Sequence, residues 1–122
     1  MIHHNQIPED IAIRVPYEDI HSLVVSILAA LGLSDGDAQI SADALLYADI
    51  RGIDSHGVSN MLPHYVEWIK NGYLNSQPNL KVVRQAAATA TIDGDEGLGL
   101  SAGKWLWEWR LIRQKTLVSD QW

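Results

Sequence analysis

Cysteine is absent, which excludes a disulfide framework, a thiolate nucleophile and any cysteine-bound zinc. No apolar run approaches the roughly 20 residues needed to span a bilayer. Met1-Ile2-His3-His4-Asn5 lacks the pattern of a secretion signal. A cytoplasmic protein with no membrane contact is the expectation. Basic residues are scarce: nine Lys and Arg face 15 Asp and Glu, a formal charge of −6. That balance argues against nucleic acid as a partner, because phosphates call for a basic face. It leaves room for a small anionic substrate met by a local cation or donor. Internal repeats and low-complexity segments are also missing, and no serine sits in the G-x-S-x-G elbow of a hydrolase.

What is present suits one domain, or part of a larger one: 122 residues with 47% apolar content, enough to pack a core. The composition is uneven. Residues 1–103 hold 5 basic and 13 acidic side chains, whereas residues 104–122 hold 4 and 2, together with four of the five Trp.

Residues 1–16 read as an arm with a short strand, since Ile11, Ile13 and Val15 alternate. Pro16 suits a first helical turn, and Ile20, Leu23, Val24, Ile27, Leu28 and Leu31 follow at helical spacing up to Gly32. His21 reads as a plain surface residue. Ser34 or Asp35 can cap a second helix that ends near Ile50 and Gly52. Asp54 or Ser55 can cap a third, in which Val58, Met61, Leu62, Tyr65, Val66 and Ile69 repeat the spacing up to Gly72 and Pro63 forces a late start or a kink. Residues 73–103 read as a loop and a β-hairpin (80–84 with 88–93) followed by an acidic turn.

The chemistry concentrates in Asp49-Ile50-Arg51-Gly52-Ile53-Asp54-Ser55-His56-Gly57. The first turn of a helix leaves N–H groups unpaired at the positive end of its dipole, a natural seat for a carboxylate or oxyanion. Imidazole is the side chain that exchanges a proton near neutral pH, so His56 can act as acid or base there. Ser55 can orient its ring or cap the helix. The bland alternative is a capping serine beside a decorative histidine. A metal held by Asp54, His56 and His64 is a weaker reading, because the two His do not share a helix face on adjacent turns. Gly97-Leu98-Gly99-Leu100-Ser101-Ala102-Gly103 approximates a dinucleotide cradle, but its third glycine comes one residue too late.

The stretch from Ala48 to Val58 resembles the signature of the type-2 malate/L-lactate dehydrogenase family. Gly32-Leu33-Ser34, residues 61–72, residues 78–83 and Ala90-Thr91-Ile92-Asp93-Gly94-Asp95 with Gly97-Leu98-Gly99 extend the resemblance over about residues 12–103. The resemblance implies an α/β fold (an α+β fragment here, three helices over residues 17–72 and then a hairpin) unlike the usual Rossmann dehydrogenase. It implies interconversion of a 2-hydroxy acid and a 2-oxo acid with NAD or NADP. His56 then resembles the proton donor and Ser55 its relay partner. Many members carry an Arg four residues after the His to clamp the substrate carboxylate; Asn60 stands there and takes the substrate-binding position, with Arg51 the nearest alternative cation. No metal is implied. The expected partner is a small 2-oxo or 2-hydroxy acid, and self-association into a homo-oligomer, a dimer in the simplest case, is expected as well.

Residues 104–122 do not resemble the Met/Ala-rich helix that the family places next. Tryptophan has one codon, TGG; if each preceding codon ends in A, the shifted frame reads Met at each Trp and begins Met-Ala-Met-Gly-Met-Ala. The expectation is a frameshifted, truncated and inactive product whose tail is aberrant. The alternative from another class is a small helical interaction module docking a partner through Trp105 and Trp109.

Overall fold

The computed structural model describes residues 8–119, with side chains to residue 115. Four helices and one hairpin follow in order: α1 (Tyr17–Ala30), α2 (Asp35–Ile50), a 3-10 turn (Asp54–His56), α3 (Val58–Lys70), β1 (Lys81–Gln85), β2 (Ala90–Asp93) and α4 (Gly99–Ser119). None of these helices is long and apolar enough to cross a membrane.

The first two helices form an antiparallel pair joined by a short turn. Glu18 and Asp19 in the first turn of α1 face the positive end of its dipole. Ser34 caps α2: its Oγ accepts from the Asp37 N–H at 3.1 Å and donates to the Asp37 carboxylate at 2.9 Å. Val24 and Leu28 of α1 meet Ala38, Ala42 and Leu45 of α2, and all five are buried. The alanines let the two backbones approach closely. Leu33, Leu62 of α3 and Leu98 complete the core. Each buried aliphatic side chain of this kind contributes about 1.5–3 kcal/mol. His21 is not a plain surface residue: its Nε2 lies 2.8 Å from Asp43 Oδ1, tying α1 to α2, while its ring stacks on Tyr17.

Helices α1, α2 and α3 end in the same way. In each, a left-handed glycine (Gly32, Gly52, Gly72) follows the cap. The N–H of the next residue then reaches back to the third-last helical carbonyl: Leu33 to Leu28, Ile53 to Ala48, Tyr73 to Trp68. Helix α3 starts at Val58 and carries Pro63 in its interior, where the ring removes the N–H that would meet the Ser59 carbonyl.

Beyond α3 the chain loops into the hairpin. β1 and β2 pair antiparallel, Lys81 with Asp93 and Gln85 with Ala90, with an irregularity at Val83. The acidic turn is bound to the preceding loop. Asp95 accepts from Asn75 Nδ2 at 3.1 Å and from the Asn79 N–H at 2.8 Å, and Gly97 lies so close to Pro78 that a Cβ there would fall 2.6 Å from its ring.

Three expectations change. Residues 11–15 form no strand among the described residues. The hairpin's two strands pair with each other, and Ile11, Ile13 and Val15 stay exposed. Leu23 is 58% exposed although it shares the helical spacing of its neighbours, because it lies on the edge of the stripe. Finally, the boundary at residues 103/104 is not a structural one. Leu98 plugs into the core, α4 begins at Gly99, and the helix runs unbroken through Gly103 and the tryptophan-rich segment. A Cβ on Gly103 would meet open space beside the helix.

Candidate functional site

The corner between α2 and α3 is built from its two ends. At its start, Arg51 caps α2 and Gly52 turns left-handed (φ +69°), a conformation that costs a side-chain-bearing residue about 1–2 kcal/mol. The Ile53 N–H donates to the Ala48 carbonyl at 2.9 Å. The chain then tightens into the 3-10 turn. The His56 N–H donates to the Ile53 carbonyl at 2.9 Å and the Gly57 N–H to the Asp54 carbonyl at 3.2 Å.

The far end is closed by Asp49. Its Oδ2 accepts the Val58 N–H at 2.9 Å, so a carboxylate from α2 satisfies the first turn of α3 and sits at the positive end of its dipole. The expected caps are therefore corrected. Neither Asp54 nor Ser55 caps α3: both lie in the 3-10 turn, and the cap position is held by Gly57, which has no side chain to offer. The seat foreseen for a substrate carboxylate at this helix start is filled by the protein's own carboxylate. Gly57 is buried and in close approach to it: a Cβ would fall on Asp49 Oδ1 and 2.4 Å from its Cγ.

This scaffold presents Ser55 and His56 outward, and both are exposed. Ser55 Oγ lies 2.8 Å from His56 Nδ1. Among the described residues nothing bonds the other ring nitrogen, Nε2. Asn60, one turn into α3, donates from Nδ2 to the Ser55 carbonyl at 2.7 Å, so the three residues singled out in the sequence form one connected group. The Asn60 amide is thereby engaged with the main chain beneath the Ser-His pair. Arg51 lays its guanidinium over the Tyr47 ring, 3.3 Å from the centroid.

The other sequence candidates fall elsewhere. His64 stacks on Trp68 (5.6 Å between centroids), and among the described residues no group of three or more His, Asp or Glu is placed to hold a metal ion. Trp68 also receives the edge of Tyr65 (6.0 Å), whose phenol is pushed above its ordinary pKa by burial. Leu98 is buried and Gly97 packs on Pro78, so residues 97–103 do not open as a phosphate cradle. Trp109 lines, with Ala87, Ala90, Ile92 and Arg113, a cleft of about 380 Å3 between the hairpin and α4. It thus faces the chain's own hairpin across this cleft.

Sequence reasoning missed Asp49. It stands nine residues before its partner, on a different helix, where no capping spacing applies.

A family profile described as malate/L-lactate dehydrogenase matches residues 15–115, reaching past Gly103 into α4. Malate dehydrogenase from Pyrococcus abyssi is 44% identical over 91 residues, covering 75% of this chain and 25% of that protein. L-sulfolactate dehydrogenase from Methanocaldococcus jannaschii is 37% identical over 100 residues, 82% of this chain and 29% of that protein. The solved structure of malate dehydrogenase from Pyrococcus horikoshii superposes with a TM-score of 0.80 at 41% identity, covering 85% of this chain and 30% of that one. The chain spans about a quarter of the length of the curated relatives it matches.

Proposed function

The chain belongs to the malate/L-lactate dehydrogenase family, and from that membership we propose that its α2–α3 corner is the proton-transfer part of a 2-hydroxy-acid dehydrogenase using NAD or NADP. The observation that carries this reading is the Ser55–His56 pair: one ring nitrogen bonded at 2.8 Å, the other unbonded on an exposed ring.

The chemistry divides into a hydride and a proton. Oxidising a 2-hydroxy acid sends the C–H bond's electron pair with its hydrogen to the nicotinamide, and sends the hydroxyl proton to a base. For His56 Nε2 to take that proton, Nδ1 must keep its own, and Ser55 Oγ is placed to accept the Nδ1–H bond. In reduction the imidazolium returns the Nε2 proton to the carbonyl oxygen, and the same bond to Ser55 holds the ring through both directions. Asn60 supports the turn from below; a neutral amide offers the substrate carboxylate less than the arginine many relatives place there.

The chain spans about a quarter of the length of the relatives it matches, and the residues named here supply the proton transfer rather than the hold on the dinucleotide. We therefore expect the 122-residue chain alone not to turn over malate or lactate with NAD or NADP. Ile13, Val15 and Ile50 are exposed and line one open groove together with Tyr17 and Leu46; a gathered apolar surface of this kind favours self-association.

The test is a chimera in which residues 15–103 replace the matching segment of the Pyrococcus horikoshii enzyme. Turnover of a 2-hydroxy acid that falls about 100- to 10,000-fold in His56→Ala supports the reading. A chimera equally active with and without His56 refutes it.

A further inference from the structure

We propose that Asp49 is a positioning residue for His56: by filling the space beside Gly57 and holding the Val58 N–H, it fixes the direction of an imidazole that little else restrains. The inference deepens the functional reading above and rests on it for its significance. Its evidence is separate.

Among the described residues, the exposed ring of His56 is hydrogen-bonded only to Ser55, its immediate neighbour. Neighbouring side chains on a tight turn meet only while the turn keeps its shape. That shape is held from within by the 3-10 bonds of the His56 and Gly57 N–H groups and by Asn60 Nδ2 on the Ser55 carbonyl; it is tied to α2 at the start by Gly52 and Ile53, bonded back to Asp49 and Ala48, and at the end by Val58, bonded to the Asp49 side chain at 2.9 Å. Both anchors lie on the last turn of α2. The first is main chain and survives any substitution. The second is one carboxylate.

Removing that carboxylate leaves the Val58 N–H without its acceptor. It also opens a void beside Gly57, which has no Cβ to fill it, immediately next to His56. The backbone from 54 to 58 then gains room to relax, and the 2.8 Å approach of Ser55 Oγ to Nδ1 is lost. Asn60 still holds the Ser55 carbonyl, but it bonds neither Ser55 Oγ nor the Val58 N–H.

The experiment is long-range 1H–15N correlation at the His56 ring of the uniformly labelled, unliganded chain, with the backbone amide spectrum as the check on folding. In the unsubstituted chain and in Asp49→Asn, whose amide oxygen still accepts from Val58, the bond to Ser55 sets the tautomer of neutral His56, and the functional reading requires that bond to run from Nδ1–H to Oγ, so the Nδ1–H form is expected to predominate. In Asp49→Ala the ratio is expected to move about threefold or more toward the Nε2–H form of unrestrained imidazole. A dispersed spectrum with an unchanged His56 tautomer in Asp49→Ala overturns the proposal. Should Asp49→Ala unfold, Asp49→Ser, which shortens the reach while keeping an oxygen, is read with the same two outcomes. The measurement uses no substrate. A chimera indifferent to His56 thus defeats the functional reading and leaves this one standing, while an unmoved tautomer does the reverse.

Discussion

The Asp49 carboxylate occupies the volume that a side chain at position 57 would need, and from there its second oxygen accepts the Val58 N–H at 2.9 Å. Glycine at 57 is required by contact rather than by torsion, since its φ of −87° and ψ of −172° suit any residue.

Gly57→Ala is therefore expected to cost about 1–3 kcal/mol, the range for overpacking a closed site. In an Asp49→Ala background the same change is expected to cost far less, because the obstructing oxygen is gone. Urea unfolding of the four chains gives the coupling directly; additive losses would show that the two residues do not compete for space.

Ser41 is fully buried on α2, and among the described residues its hydroxyl has no hydrogen-bond partner. An unsatisfied buried hydroxyl is a standing cost, so Ser41→Ala is expected to raise stability by about 0.5–1 kcal/mol. Thermal and urea midpoints measure it; a clear loss of stability would mean that the oxygen has a partner in solution.

The phenol of Tyr65 is held above its ordinary pKa by burial. A raised folded-state pKa contributes stability that is complete below the unfolded value near 10 and fades as pH climbs through the folded one. Alkaline conditions should thus weaken the fold, and Tyr65→Phe should flatten that part of the curve. Unfolding series between pH 8 and pH 11 test the sign; parallel curves for the two chains would contradict it.

Asn60 donates to the Ser55 carbonyl at 2.7 Å. If its contribution is to hold the turn, Asn60→Ala costs about 1 kcal/mol of stability and lowers kcat in the chimera with little change in KM. If it contacts substrate instead, KM rises while kcat and stability hold.

Helix stops were legible in the sequence because each is one residue's property: Gly32, Gly52 and Gly72 sit where the left-handed turn falls. The apolar stripes of α1 and α3 were legible from spacing, apart from Leu23, whose burial depended on how wide a face α2 would cover. The Ser-His pair was legible because its partners are adjacent. The α3 cap was not, since Asp49 reaches it across a corner that exists only after α2 and α3 have packed. The helix in the tail was legible from the helical spacing of Trp105, Trp109 and Ile112; its start at Gly99 and its passage through Gly103 were not, since two glycines in five residues read as a turn.

The corner that carries His56 is, in effect, a small ring. Its circumference runs along the main chain from Asp49 to Val58 and is closed by the Asp49 side chain. Surface loops open at their ends absorb an added residue at slight cost, but a loop shut by a side chain has a fixed number of links. Lengthening or shortening it by one would force a choice between keeping the bond to Val58 and keeping the imidazole facing outward. Variation in this corner should therefore take the form of exchanges at constant length.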